Sequence, residues 1–215
     1  MSSLSGKVAI VTGSGKNIGR AIAMQLADAG CQVVVNGRHD ASAVREVIQA
    51  ITDAGGNAVG VMADISKEAD VESLVTQSIS AFGRLDIVVS NAGLRRQTPF
   101  VEMSFAEWRE ILSVALDGAF LLARTATPHL IKNGAGSIIA LSGVSNHVAT
   151  LNRCHVSASK AGLEGLMRAL AIELAPHGIT CNAIAPGAID TVRGASAGEA
   201  PNSCLLYTSP SPRDS

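Results

Sequence analysis

Short β-branched apolar runs alternate along this chain with longer amphipathic segments, and that alternation constrains the fold more than any other feature. The runs are Val8–Thr12, Gln32–Asn36, Ala58–Met62, Ile87–Ser90, Ser137–Leu141 and Thr180–Ala185. They lack the polar alternation of a strand with one wet face, so they predict strands covered on both sides, as in a parallel sheet. Helical periodicity marks Ile18–Ala29, Ala41–Ala54, Lys67–Phe82, Phe105–Lys132 and Ser157–Pro176. Asp64 and Ser66 precede the third of these as start signals, and Gly30, Gly83 and Gly178 stand at helix ends. Strands alternating with helices require right-handed crossovers, which predicts one α/β domain: a doubly wound parallel sheet between two helical layers.

The first strand runs into a glycine-rich turn and a helix start, Thr12-Gly13-Ser14-Gly15-Lys16-Asn17-Ile18-Gly19. Backbone N–H groups at such a turn can approach a pyrophosphate, and the helix dipole adds positive potential there. Gly13 allows the sharp turn and Gly19 lets the helix pack close to the sheet. The position of the turn, directly after the first strand of an α/β alternation, makes the signal specific.

Thr12-Gly13-x-x-x-Asn17-Ile18-Gly19 resembles the glycine motif of the short-chain dehydrogenase/reductase family, with Asn17 where the family has its middle glycine. Asn tolerates left-handed φ best after Gly, so the turn can survive. Further likenesses follow in the family's order. Asp64-Ile65 resembles the pair beside the adenine ring, and Asn91-Ala92-Gly93 the motif that stabilises the central sheet beside the cofactor. Pro186-Gly187-Ala188-Ile189-Asp190-Thr191 resembles the segment that meets the nicotinamide carboxamide. The likeness spans residues 5 to 193 and is nearest to the family's 3-oxoacyl-ACP reductases. It implies a Rossmann-type three-layer αβα fold and hydride transfer between a nicotinamide and a small-molecule carbonyl or alcohol.

The end of the second strand bears on which cofactor is held. An acidic residue there would bond the ribose hydroxyls and repel a 2′-phosphate. This chain has Asn36-Gly37-Arg38-His39, with Gly37 at the acidic position. Arg38 offers a planar cation suited to phosphate, and Lys16 in the turn can reach the same group. NADP(H) is therefore preferred over NAD(H).

The proton-transfer machinery that the resemblance implies is largely absent. Lys160 falls on the family's lysine, which holds the nicotinamide ribose, but the tyrosine position is Val156, the serine position Gly143 and the asparagine position Ala115. Valine neither donates nor accepts a proton. Two readings stay open. In one, the chain is an oxidoreductase with another acid: His147, on the loop after the fifth strand, or His155, beside the tyrosine position but turned about 100° around the helix from it. Ser142 is then the candidate oxyanion partner. In the other, the chain binds NADP(H) without turnover, as a regulatory module.

Composition narrows the remaining choices. Charged residues make up 16% and the net charge is −1, which gives no electrostatic case for nucleic acid or an anionic membrane as partner. No apolar stretch reads as a membrane span, and Met1–Lys7 lacks the pattern of a signal peptide. Cys31, Cys154, Cys181 and Cys204 show no paired spacing, so neither a metal nor a disulfide framework is expected, and the expected location is cytoplasmic. The last segment, Cys204 to Asp214, back-translates to a transposon-end adapter. Residues 204–215 are therefore expected to be foreign, including Tyr207, the single tyrosine. Residues 1–200 then form one dinucleotide-binding domain whose last strand is expected to be missing. Small residues along Phe105–Lys132 and Ser157–Pro176, on the helices that form the family's interface, imply a homodimer or homotetramer.

Overall fold

The computed structural model describes residues 4–187 and 189–191; Ala188, Cys204, Tyr207 and the 204–215 segment lie outside the described residues. Six strands form one parallel sheet in the order β3-β2-β1-β4-β5-β6. They are β1 (Val8–Val11), β2 (Gln32–Gly37), β3 (Asn57–Met62), β4 (Ile87–Ser90), β5 (Gly136–Leu141) and β6 (Ile179–Ile184), and every end lies within one residue of the sequence reading.

Alternate side chains of each strand enter two separate cores. Val8, Ile10, Val34 and Val88 face α3 (Glu68–Phe82), α5 (Gly118–Lys132) and α7 (Cys154–Leu174). Ala9, Val11, Val33 and Val35 face α1 (Asn17–Asp28) and α2 (Ala41–Asp53). The fold is thus the three-layer, doubly wound arrangement that the alternation demands. Leu74, Leu122 and Leu163 are almost wholly buried, each side chain contributing on the order of 1.5–3 kcal/mol.

The helices differ from the sequence reading in four places. The segment expected as one helix over 105–132 is α4 (Phe105–Leu112), a π-helical turn over Ser113–Asp117, and then α5. The sequence reading ran one helix through this turn because Ser113–Asp117 contains neither Gly nor Pro to interrupt it. The helix expected from Ser157 begins at Cys154, ends at Leu174 and continues as a 3-10 turn over Ala175–His177. Asp64 and Ser66 do not cap α3. Asp64 instead accepts from the backbone N–H and the hydroxyl of Ser66, at 3.1 and 2.7 Å. A further short helix, α6 (Ser145–Val148), lies in the loop before α7.

Phe105–Lys132 has the length and mean hydropathy, 1.2, to cross a membrane, although no span was expected. Its Leu122, Ala123, Ala126 and Leu130 are buried in the core beside α3 and α7, which makes it a covering helix of the sheet. Between α3 and β4, and near the start of β1, the buried carboxylate of Asp86 collects Lys7 Nζ at 3.1 Å, the Val8 N–H at 3.0 Å, and Arg84 Nε and Nη2 at 2.8 and 2.6 Å.

Candidate active site

β2 lies on one side of β1 and β4 on the other, so the connections leaving the strand ends diverge and open a crevice. Thr12 and Asn91 fasten its floor. The Thr12 hydroxyl oxygen accepts from the N–H groups of Asn91 and Ala92 at 3.0 and 3.1 Å. The Asn91 amide donates to the carbonyls of Thr12 and Gly13 at 2.9 and 3.1 Å. A Cβ on Gly19 would stand 2.4 Å from the Gly13 carbonyl and 2.5 Å from Asn91 Nδ2, so only glycine allows α1 to start this close to the sheet. Asn17, at the family's middle glycine, has φ of 52°, the left-handed conformation that its residue type tolerates.

The crevice is a cavity of about 380 Å3. Gly13, Lys16, Asn17, Ile18 and Gly19 line one stretch of it. Lys16 precedes α1 without a side-chain cap, and no acidic residue stands in the first turn, so the helix start keeps its positive potential. Ser14 is elsewhere: fully buried, its hydroxyl donates to the Val11 carbonyl at 2.7 Å and accepts from the Asn36 N–H at 3.0 Å. Asn36 was not singled out in the sequence. Its Oδ1 accepts from Gly13 N–H at 3.2 Å and its Nδ2 donates to Val61 and Ala63 carbonyls at 3.1 and 3.2 Å, pinning three strand ends. The available signal was a polar Asn closing the apolar run Val33-Val34-Val35, where a strand covered on both faces requires its amide to be bonded.

Arg38, Asp64 and Ile65 line the wall over β2 and β3. Arg38 Nη1 stands 3.9 Å from Asp64 Oδ2. Burial pushes the Asp64 carboxyl up, but the Ser66 hydroxyl and N–H and the Arg38 charge together hold it below the usual value. A Cβ on Gly37 would stand 2.6 Å from Cγ2 of buried Val44, so α2 itself leaves no room for an acidic side chain there.

Ala92, Gly93, Arg95, Arg96, Val114 and Thr191 line the opposite wall. Pro186, Gly187 and Ile189 are not part of that lining; the Pro186 carbonyl accepts from Val144 N–H at 3.1 Å, and Ile189 is exposed. Lys160 reaches under the strand ends and donates to the Leu141 carbonyl. Its ammonium lies 3.6 Å from where a Gly93 Cβ would be. Burial, together with the Arg95 charge, pushes Lys160 down to about 8.

Val156 is buried at the tyrosine position and offers no polar atom. Ala115, at the asparagine position, is also buried and lies within the π turn, so the backbone irregularity is present without the polar side chain. His155 turns away to α4. It is fully buried, with Nε2 3.2 Å from Glu107 Oε1, and Glu107 also accepts from the Thr98 hydroxyl at 2.6 Å. The structure thus gives His155 a tie between α7, α4 and the loop before it, and does not bring it to Lys160.

Ser142 and His147 are brought together by a residue the sequence did not reveal, Glu164. Its Oε1 accepts from the Ser142 hydroxyl at 2.6 Å and lies 3.1 Å from His147 Nε2. Glu164 follows Lys160 by one turn of α7, and its side chain is largely buried while that of His147 is half-exposed. The Ser142 bond holds the Glu164 carboxyl below its usual value against burial, helped by Asn146 and His147. Because the Ser142 proton points at Glu164, that hydroxyl does not at the same time donate to a substrate oxygen. A solvated helical Glu looks the same in sequence; docking of α7 on β5 makes it part of the site.

A doubly wound sheet with an uncapped helix start at its switch point defines a dinucleotide-binding α/β protein. The sequence profile of the family described as short chain dehydrogenase matches residues 7–202. The chain is 35% identical over 191 residues to the 3-oxoacyl-[acyl-carrier-protein] reductase of Synechocystis sp., covering 89% of this chain and 77% of that one. It is 41% identical over 189 residues to 3beta-hydroxysteroid dehydrogenase 1 of Eggerthella lenta, covering 87% and 72%. A crystal structure of a short-chain type dehydrogenase/reductase from Mycobacterium marinum superposes with a TM-score of 0.83 at 34% identity, covering 86% of this chain and 75% of that one. The chain belongs to the short-chain dehydrogenase/reductase family of oxidoreductases, whose members bind a nicotinamide cofactor.

Proposed function

We propose that the chain is an NADP(H)-dependent oxidoreductase acting between a carbonyl and an alcohol, with His147 as the proton donor in place of the family's tyrosine. The residues present fit the cofactor. The uncapped start of α1 suits a pyrophosphate, and Arg38 and Lys16 flank a wall from which Val44 excludes an acid. Lys160 is the residue that would hold the nicotinamide ribose. When bound, the cofactor supplies or takes the hydride.

The observation that carries the proton-donor reading is the Glu164 carboxylate shared by His147 and Ser142. A carboxylate on one imidazole nitrogen fixes the orientation and tautomer of the ring, leaving the other nitrogen to exchange a proton with the substrate oxygen. Half-exposed His147 can then recover its proton from solvent. Val156, Gly143 and Ala115 favour the second reading, an NADP(H)-binding module without turnover, since they replace the family's tyrosine, serine and asparagine and leave Lys160 alone.

The deciding experiment follows NADPH oxidation with a panel of ketones and 3-oxoacyl thioesters, in the parent and in His147→Ala. Turnover that disappears in the variant supports the oxidoreductase. Tight NADPH binding with no turnover across the panel supports the binding module. We further propose a homodimer or homotetramer, supported by the exposed apolar side chains of Phe105, Phe120 and Ile172 on α4, α5 and α7. A monomer by light scattering at micromolar concentration would count against it.

A further inference from the structure

The end of β2 is closed from behind by a side chain that does not itself line the cleft. Val44 stands near the start of α2 and is buried. Its Cγ2 lies 2.6 Å from the place of a Cβ on Gly37, and its Cγ1 lies 2.8 Å from the place of a Cβ on Gly60. Gly37 ends β2 and Gly60 lies in β3, so one valine fills notches in two neighbouring strands. Its backbone is tied as well. The Val44 N–H donates to the Asp40 carbonyl at 3.3 Å, and the Asp40 side chain caps the helix through the Ala43 N–H at 3.0 Å. A valine in a helix keeps one strongly preferred rotamer. With its other methyl seated over Gly60, Cγ2 has no free way to turn aside.

Among the described residues, only Val44 stands closer than ordinary contact to that Cβ. The next atoms are the Asp40 carbonyl oxygen at 3.6 Å and Met62 Cε at 3.7 Å. Gly37 does not have the left-handed φ that would itself demand glycine. We propose that Val44 is a specificity-determining residue for the cofactor, acting from outside the cleft: it holds position 37 at glycine and so leaves the ribose end to Arg38. Arg38 attracts a 2′-phosphate, and Val44 keeps out the acid that would repel it. On the reading of the cleft as an NADP(H) site, on which this rests, positions 37 and 44 act as a pair. An acid at 37 changes the preference only where Val44 is cut back.

The test is a double-mutant cycle of Gly37→Asp and Val44→Ala in the full chain, read by fluorescence titration with NADPH and NADH and by urea unfolding. Gly37→Asp alone is expected to destabilise the fold and to bind NADH no tighter than the parent. Val44→Ala alone is expected to keep NADPH preferred. The two together are expected to bind NADH about tenfold tighter than Val44→Ala and NADPH about tenfold weaker, as the carboxylate meets the ribose hydroxyls and repels the 2′-phosphate. A neutral cycle of Gly37→Ala and Val44→Ala reads the obstruction without charge: the pair should destabilise less than the two single changes added. If Gly37→Asp does not fold, this neutral cycle decides, coupling supporting the proposal and additivity overturning it. A Gly37→Asp protein that alone binds NADH about tenfold tighter overturns the proposal, as does additivity of the two changes in nucleotide preference. A parent that prefers NADH removes the NADP(H) reading. Coupling in the neutral cycle, with NADH gained in the charged pair, then still supports Val44 as the determinant.

Discussion

His147 Nε2 lies 3.1 Å from Glu164 Oε1, the oxygen that also takes the Ser142 proton. With Glu164 orienting the ring, Glu164→Gln lowers kcat by about 10- to 100-fold, while His147→Ala costs about 10²- to 10⁴-fold. The affinity for NADPH changes little in either, because neither residue lines the cofactor cavity. Steady-state kinetics with a fluorescence measurement of NADPH binding separates the two effects. Equal kcat in the parent and Glu164→Gln would remove Glu164 from the mechanism.

Arg38 sits over the end of β2, where Gly37 and Val44 leave no place for an acid. A guanidinium on a 2′-phosphate makes charge-assisted hydrogen bonds of about 1.5–3 kcal/mol. Arg38→Ala should therefore weaken NADPH by about 10- to 100-fold and leave NADH within a few-fold. Calorimetric titration with both nucleotides checks it. A variant that loses both equally places Arg38 on the shared part of the cofactor, and a variant that loses neither makes it a surface cation.

Much of this fold was legible in sequence because its determinants are local. Strand runs such as Val33-Val34-Val35 are buried on both faces, so their apolar character is continuous and their ends are sharp. The turn at Asn17 was legible because few residue types accept its φ of 52°. The π turn over Ser113–Asp117 was hidden, since it changes the hydrogen-bonding step without changing residue types. The start of α7 at Cys154 was hidden because Cys154-His155-Val156 carries no start signal. The site was half legible for the same reason. Its backbone features announce themselves as Gly and Asn, whereas the meeting of Ser142, His147 and Glu164 depends on how α7 docks against β5.

Asp86 ties the start of β1 to the entry of β4 through Lys7, Arg84 and the Val8 N–H. Burial pushes its carboxyl up, but the Arg84, Val8 and Lys7 bonds outweigh it, and the group ends below its ordinary value of 3.8. A carboxyl depressed in the folded state stabilises the fold above its unfolded value and loses that contribution as pH falls through the folded one. Asp86→Asn should cost about 2–3 kcal/mol at pH 7, the partners being partly solvated. Urea unfolding should show the gap narrowing as pH falls below 3.8, the ordinary value. A gap that is constant with pH would mean that the charge is not what stabilises.

Lys160 is the opposite case, a charge that the fold disfavours. Burial, then Arg95, lowers it from 10.5 to about 8. Between those values the unfolded chain holds the proton and the folded chain does not, so stability rises with pH across that window. Below about 8 both states are charged and the cost of burying the ammonium is fully present. Lys160→Met removes the charge and keeps most of the stem. It should gain on the order of 1 kcal/mol at pH 7, part of the shift being lost to solvent screening and to the bond to Leu141. The gain should shrink as pH approaches the unfolded value, while NADPH binding weakens at every pH because the ribose loses its donor. Urea unfolding of parent and variant at pH 7 and in the alkaline window reads the first effect, and nucleotide titration reads the second. A variant less stable than the parent at pH 7 would show that the Leu141 carbonyl satisfies the ammonium, and Lys160 would then be a structural residue as well as a cofactor ligand.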